Sequence, residues 1–201
     1  DDSRLHKHAF WTIDPLDGTQ YFIEGRPGYA TSIALVSQSG HPILGVVYDP
    51  INDALYEAVT GRGVTRNGHP IQAAAPSGND SAKLTWFADN SLRQHPNFEK
   101  LQTRFDIQFS GGAVMNCIQL LSCPNGVYIK QPKKTLGGCA IWDLAAVALM
   151  LTECSGNAKT FSGDLLHLNR TESIFFGDVG LILSGAEISM DAFLRELNNL
   201  Q

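Results

Sequence analysis

The sequence predicts a layered fold of mixed α+β and α/β character, and three observations carry that expectation. The first third alternates short β-branched and aromatic runs with tight-turn signals, as an antiparallel meander does. The remainder alternates strand-like runs with helical ones, which implies helices layered on a sheet. With 201 residues, 43% of them hydrophobic and 17% charged, the chain has the balance of a soluble globular protein. Roughly 70% of its unfolded surface can be buried at this size, so a core needs neither disulfides nor a structural metal.

The elements follow in order. Trp11-Thr12-Ile13 is an apolar lead-in, expected to be a buried strand ending at Asp14. Tyr29 to Val36 is a strand that stops at the turn SQSG, and Ile43 to Tyr48 is a second. Asp49-Pro50 and Ile51-Asn52-Asp53 connect it to a third, Ala54 to Val59. Val64 to Ile71 carries Asn67-Gly68, a strong hairpin signal. The small, polar stretch Ala73 to Ser81 is the best domain-boundary candidate, dividing the chain into an N-terminal part, 1–78, and a C-terminal part, 79–201.

Beyond it, Leu84 to Ala88, Ile107 to Phe109, Gly126 to Lys130, Ser173 to Phe176 and Leu181 to Leu183 read as strands. Asn97 to Arg104, Ala113 to Leu121, Trp142 to Cys154 and the amphipathic Ile188 to Leu200 read as helices. The Trp142 helix stops at Ser155-Gly156, where glycine is expected to take the left-handed cap. Trp86, Phe87, Phe175 and Phe176 are expected core strand residues, and His6 and His8 surface residues. Cys117, Cys123, Cys139 and Cys154 lack any C-x-x-C pair, so reduced, mostly buried thiols are expected.

Two stretches carry chemistry. Asp14 and Asp17 lie three apart across Pro15 in DPLDGT, so that both carboxylates and the Leu16 carbonyl can converge on one point. An all-oxygen set of this kind suits a hard divalent ion such as Mg²⁺. Gly18 permits close backbone approach to an anion, and Thr19 offers a hydroxyl and an amide at the start of a helical turn. Taken alone, D-x-x-D reads more simply as a capped turn, and it is the apolar lead-in ending at Asp14 that favours a site. The second stretch places Asp143 at the N-terminus of an apolar helix, where the dipole favours a carboxylate. An N-cap is the plain reading there, and a capping aspartate can also ligate a metal.

DPLDGT, then F-I-x-G-x-P-x-x-A-x-S-I-A-L, GVVYDP, Y-E-A, G-x-G, N-G and finally W-D-L-A-A together resemble the inositol monophosphatase superfamily. This group of lithium-sensitive, Mg²⁺-dependent phosphomonoesterases includes 3'(2'),5'-bisphosphate nucleotidases. The resemblance implies an αβαβα sandwich and two or three Mg²⁺ per site. It implies that Asp14 and the Leu16 carbonyl hold the first metal, with Asp14 bridging to a second that Asp17 and Asp143 complete. It further implies that the Gly18 and Thr19 amides receive the substrate phosphate, with the Thr19 hydroxyl orienting the attacking water. Gly111, Gly112 and Ala113 fall where the family's glycine-led loop meets the ring or sugar. Asp17 and Thr19 thus carry catalytic roles, in a hydrolysis by activated water without a covalent enzyme intermediate.

In the family a Glu-Glu pair upstream of the first aspartate supplies a further ligand, and here it would precede Asp1. The expectation is therefore a longer enzyme lacking its N-terminal helices; a noncatalytic relative that binds a phosphorylated ligand is the alternative. The expected substrate is a small phosphorylated metabolite. No acid lies between Gly126 and Trp142, whereas Lys130, Lys133 and Lys134 do. That run suits a second phosphate, as in adenosine 3',5'-bisphosphate, over inositol monophosphate, although a short lysine run is more often a solvated loop. A net charge of -5 is a poor match to a nucleic-acid polymer. The longest apolar run, Leu144 to Leu151, is far short of the roughly 18 residues of a membrane span. No membrane association, a cytoplasmic location and a homodimer complete the expectations.

Overall fold

The computed structural model of the chain describes residues 2–72, 83–135, 137–186, 188 and 193. After a 3-10 turn at Asp2–His6 come β1 (Ala9–Asp17), α1 (Thr19–Ile23), β2 (Ala30–Ser37), β3 (Pro42–Asp49), β4 (Ala54–Val59), β5 (Val64–Arg66) and β6 (His69–Ile71). The six strands pair antiparallel in sequence order, which is the expected meander. Its last hairpin turns on Asn67 and Gly68, both at positive φ (50° and 78°).

The second sheet contains β7 (Thr85–Phe87), β8 (Asp106–Gln108), β9 (Gly126–Lys130), β10 (Asn157–Thr160) and β11 (Leu181–Ser184), in the order β10-β11-β9-β7-β8. β7 pairs parallel with both β8 and β9; the other pairings are antiparallel. Helices α2 (Phe98–Arg104), α3 (Ala113–Gln119) and α4 (Ile141–Glu153) connect these strands.

The layers follow from which faces are apolar. Ala34, Val36 and Val47 of the first sheet meet Val114, Ile118, Leu144, Val147 and Met150 of α3 and α4, and Phe87, Tyr128, Leu181 and Leu183 of the second sheet close the same core. Alternate residues of those same strands, Trp86, Val127, Ile129 and Ile182, face a second core with Leu101 and Phe105 of the α2 region and with Ile188 and Phe193. The middle of the second sheet is thus buried on both faces, which is why β9 and β11 read as nearly continuous apolar runs, whereas the outer strands β8 and β10 are polar. Among the described residues the order is sheet, helices, sheet, helix: a layered α/β sandwich.

Several expectations change. The lead-in strand is not buried: Trp11 and Ile13 are 58% and 56% exposed, and Thr12 turns inward instead. Nor does it end at Asp14, since pairing runs from Asp14↔Ser32 across a bulge to Asp17↔Ala30. Ser173–Phe176 forms only a single bridge, Phe175 with Ala140, so Phe176 is a core residue outside any strand. At the end of α4 it is Ser155 that takes positive φ (63°). Gly156 is required by space, for a Cβ there would stand 2.5 Å from the Ser184 carbonyl oxygen. Cys117, Cys139 and Cys154 are buried, and the Cys123 thiol donates to Asn125. The boundary segment 73–81 and most of the expected C-terminal helix lie outside the described residues.

Candidate active site

The site begins where β1 bulges. Pro15 and Leu16 leave the β1–β2 ladder, and the Thr31 hydroxyl donates to the Pro15 carbonyl (3.0 Å), fixing the excursion. The Asp14 carboxylate accepts the Leu16 N–H (3.0 Å). Three residues on, the Thr19 hydroxyl donates to the Leu16 carbonyl (3.0 Å), so this oxygen is held at the same turn. Gly18 stands between them at φ 76°, a conformation that costs other L-residues strain.

Asp143 reaches the turn from the other half of the chain. The Ser32 hydroxyl, on the residue paired with Asp14, donates to the Trp142 carbonyl (3.2 Å) and so docks the start of α4 against β2. Ala140 occupies the N-cap; Asp143 sits three residues in, and its carboxylate accepts the Ala140 N–H (2.8 Å). The expected N-cap role is corrected to the reciprocal half of a capping box. Asp14, Asp17 and Asp143 then each present a ligand oxygen within 4.8 Å of the others.

The electrostatics of this triad are unfavourable without a cation. Burial, with Asp143 and then Asp14 adding like charge, pushes Asp17 up to about 7, against the N–H groups of Val114 and Ala113 that lower it. Burial also raises Asp143, and Asp14 beside it works in the same direction. Three converging hard oxygens that repel one another fit a divalent ion of the Mg²⁺ type, which supplies the missing charge.

The glycine loop meets this centre directly. The Asp17 carboxylate accepts the Val114 N–H (3.0 Å) at the start of α3. A Cβ on Gly112 would stand 2.3 Å from Asp17 Oδ2 and 2.6 Å from the Gly18 nitrogen. Gly111 is at φ 152°, with its Cβ position 2.3 Å from the Gly28 carbonyl oxygen, and that oxygen accepts the Gly112 N–H (2.8 Å). Four glycines, at 18, 28, 111 and 112, therefore pack backbone on backbone beside the acids. The structure brings together the residues expected to hold the metal, the phosphate and the substrate's ring or sugar: Asp14, Leu16, Asp17, Gly18, Thr19, Gly111, Gly112, Ala113 and Asp143.

Three participants were missed. Gly28 stood as an unspecified position in its motif. Asn116, fully buried in apolar α3, accepts the Ser110 N–H (3.1 Å) and donates to the Gly111 and Ala88 carbonyls (3.0 and 3.3 Å), tying the glycine loop to the end of β7. A lone polar residue in A-V-M-N-C-I was the available signal. Asp89 follows β7, accepts the Tyr128 hydroxyl (3.2 Å) and pairs with Lys130 at the end of β9. Lys133 and Lys134 are exposed.

Known proteins resemble the chain over most of its length. A family model described as the inositol monophosphatase family matches residues 1–200. Nus factor SuhB of Xylella fastidiosa is 31% identical over 159 residues, which are 76% of this chain and 55% of that protein. Inositol-1-monophosphatase of Bacillus subtilis is 27% identical over 173 residues, 84% of this chain and 63% of that one. The chain thus spans little more than half the length of these relatives. The structure of an inositol monophosphatase from Anabaena superposes with a TM-score of 0.74 at 25% identity, over 97% of this chain and 73% of that one. Among the described residues no helix is long and apolar enough to cross a membrane.

Proposed function

The chain belongs to the inositol monophosphatase family, and on that footing we propose that it hydrolyses a small phosphomonoester with Mg²⁺ held by Asp14, the Leu16 carbonyl, Asp17 and Asp143. The observation that carries the proposal is the convergence of three carboxylates, two from one turn and one from a distant helix, to within 4.8 Å. When bound, Mg²⁺ neutralises phosphate oxygens and lowers the pKa of water.

The chain's own groups do the positioning that dominates phosphoryl transfer. Gly18 and Thr19 offer backbone amides to the phosphate at the entry to α1. Leu16 O and Thr19 Oγ1 are locked together at 3.0 Å, so the hydroxyl oxygen keeps lone pairs turned away from that bond to orient the attacking water. Asp17, held by the Val114 N–H, serves as ligand and as the anchor of the Gly111–Ala113 loop against which the substrate's alcohol lies.

The test is phosphate release from inositol 1-phosphate, adenosine 3',5'-bisphosphate and fructose 1,6-bisphosphate, with and without Mg²⁺. Release from at least one that requires Mg²⁺ and disappears in Asp14→Asn or Asp143→Asn is expected. Binding without release from any of them contradicts the proposal and favours a noncatalytic phosphate binder.

A further inference from the structure

Asn116 is flanked in α3 by Val114, Met115, Cys117 and Ile118, all buried, and is itself fully buried. A side-chain amide in such surroundings is costly unless its groups are bonded. An aliphatic residue would fill the same position in the helix without that requirement. Here backbone groups meet it. Oδ1 accepts the Ser110 N–H (3.1 Å), and Nδ2 donates to the carbonyls of Gly111 (3.0 Å) and Ala88 (3.3 Å), so both amide hydrogens are used.

These bonds fix one short stretch of chain. The side chain grips the N–H of Ser110 and the carbonyl of the next residue, Gly111, while the Asn116 main-chain N–H donates to the Gly112 carbonyl (3.0 Å). Three consecutive loop residues are thus each held by one residue of α3. Gly111 needs the hold, because glycine has the widest choice of backbone angles and this one is kept at φ 152°. The bond to Ala88 sets the loop against the end of β7 as well as against its own helix. The setting matters at the site. Gly111 and Gly112 form one wall of a cavity of about 650 Å³ that Gly18, Thr19 and Asp89 also line.

We propose that Asn116 is a positioning residue: it orders the glycine loop and thereby sets the affinity for the alcohol side of the substrate. Being fully buried, it acts through Ser110, Gly111 and Gly112 and not by contact. The proposal rests on the phosphatase reading for what the loop meets; the ordering of the loop requires neither metal nor turnover.

Asn116→Leu keeps the volume and apolar packing of α3 and removes every side-chain bond. Asn116→Ala removes them too and leaves room for water, should the leucine variant not fold. The Gly112 N–H donates to the Gly28 carbonyl and not to Asn116, so its hydrogen exchange reads the order of the loop. In EDTA that exchange is expected to be about tenfold faster in either variant, the effect of about one buried hydrogen bond, with the β9 amides unchanged. In Mg²⁺-dependent phosphate release, KM for the ester is expected to rise by a similar factor of about ten. Inhibition by inorganic phosphate, which has no alcohol to place against the loop, is expected to stay at its wild-type value. Leu151→Ala, a buried truncation near the far end of α4, controls for lost stability: it is expected to lower the melting temperature and leave the Gly112 exchange and KM unchanged. Unchanged Gly112 exchange in the folded variants, or a KM and a phosphate inhibition constant that rise together, overturns the proposal. Absence of phosphate release by the wild type counts against the phosphatase reading, and Gly112 exchange then decides alone whether Asn116 orders the loop.

Discussion

Replacing Gly112 by alanine perturbs the centre through one methyl group. Gly112 has φ −64° and ψ −177°, a conformation any residue adopts, so the substitution adds no backbone strain and tests space alone. The new Cβ would lie 2.3 Å from Asp17 Oδ2, whereas ordinary contact begins at 3.4 Å, so the carboxylate must retreat by 1.1 Å. It cannot do so and keep the 3.0 Å bond to the Val114 N–H. The Gly18 nitrogen, 2.6 Å away, is backbone and cannot yield cheaply. Overpacking together with loss of a charge-assisted hydrogen bond gives a destabilisation of about 3–5 kcal/mol. For a chain of this size that is a fall in melting temperature of roughly 10 °C. Thermal unfolding in EDTA reads the stability, and calorimetric Mg²⁺ titration reads the displacement of Asp17. Wild-type melting together with wild-type Mg²⁺ affinity in Gly112→Ala would refute the claim that the glycine loop and the acid centre share this space.

Two further perturbations separate charge from strain. Asp17 is raised to about 7 from 3.8, so between these values the folded chain keeps a proton that the unfolded chain has lost, and metal-free stability falls as pH rises through the window. Asp17→Asn retains an acceptor for the Val114 N–H but cannot ionise. In EDTA it is expected to match wild type near pH 4 and to exceed it by up to about 4 kcal/mol above pH 7, with Mg²⁺ stabilising only the wild type. A gap that narrows with rising pH contradicts this. Gly18→Ala combines a left-handed backbone, worth about 1–2 kcal/mol, with a Cβ 2.5 Å from the Gly28 carbonyl. Unfolding by urea should show a larger loss than for alanine at Gly61, which also has positive φ (74°) but open space around its Cβ position.

What could be seen in the sequence was local. The meander was legible because each strand is bounded by its own turn chemistry, such as Asn67-Gly68. The acid centre was legible because Asp14 and Asp17 share one turn and Asp143 opens one helix. Ser173–Phe176 misled because aromatic content marks burial as well as strand, and Phe176 is buried without a ladder. β10 escaped notice because N-A-K-T has no strand signature of its own and is ordered by pairing with β11. Trp11 and Ile13 looked buried because an apolar run does not reveal which face of a sheet is covered. Gly28, Asn116 and Asp89 depend on the approach of distant segments, and only the folded chain shows why Gly28 must yield space to Gly111.

Binding of Mn²⁺ as a spectroscopic substitute for Mg²⁺ tests the metal-centre claim most directly. Electron paramagnetic resonance titration of the wild-type chain, Asp14→Asn and Asp143→Asn reports bound ion without requiring turnover. Saturable binding by the wild type that is lost or weakened by an order of magnitude or more in both variants is the predicted result, since hard-cation affinity follows the number of charged oxygen ligands. Equal binding in all three proteins, with each still folded, would contradict a divalent-cation centre at Asp14, Asp17 and Asp143.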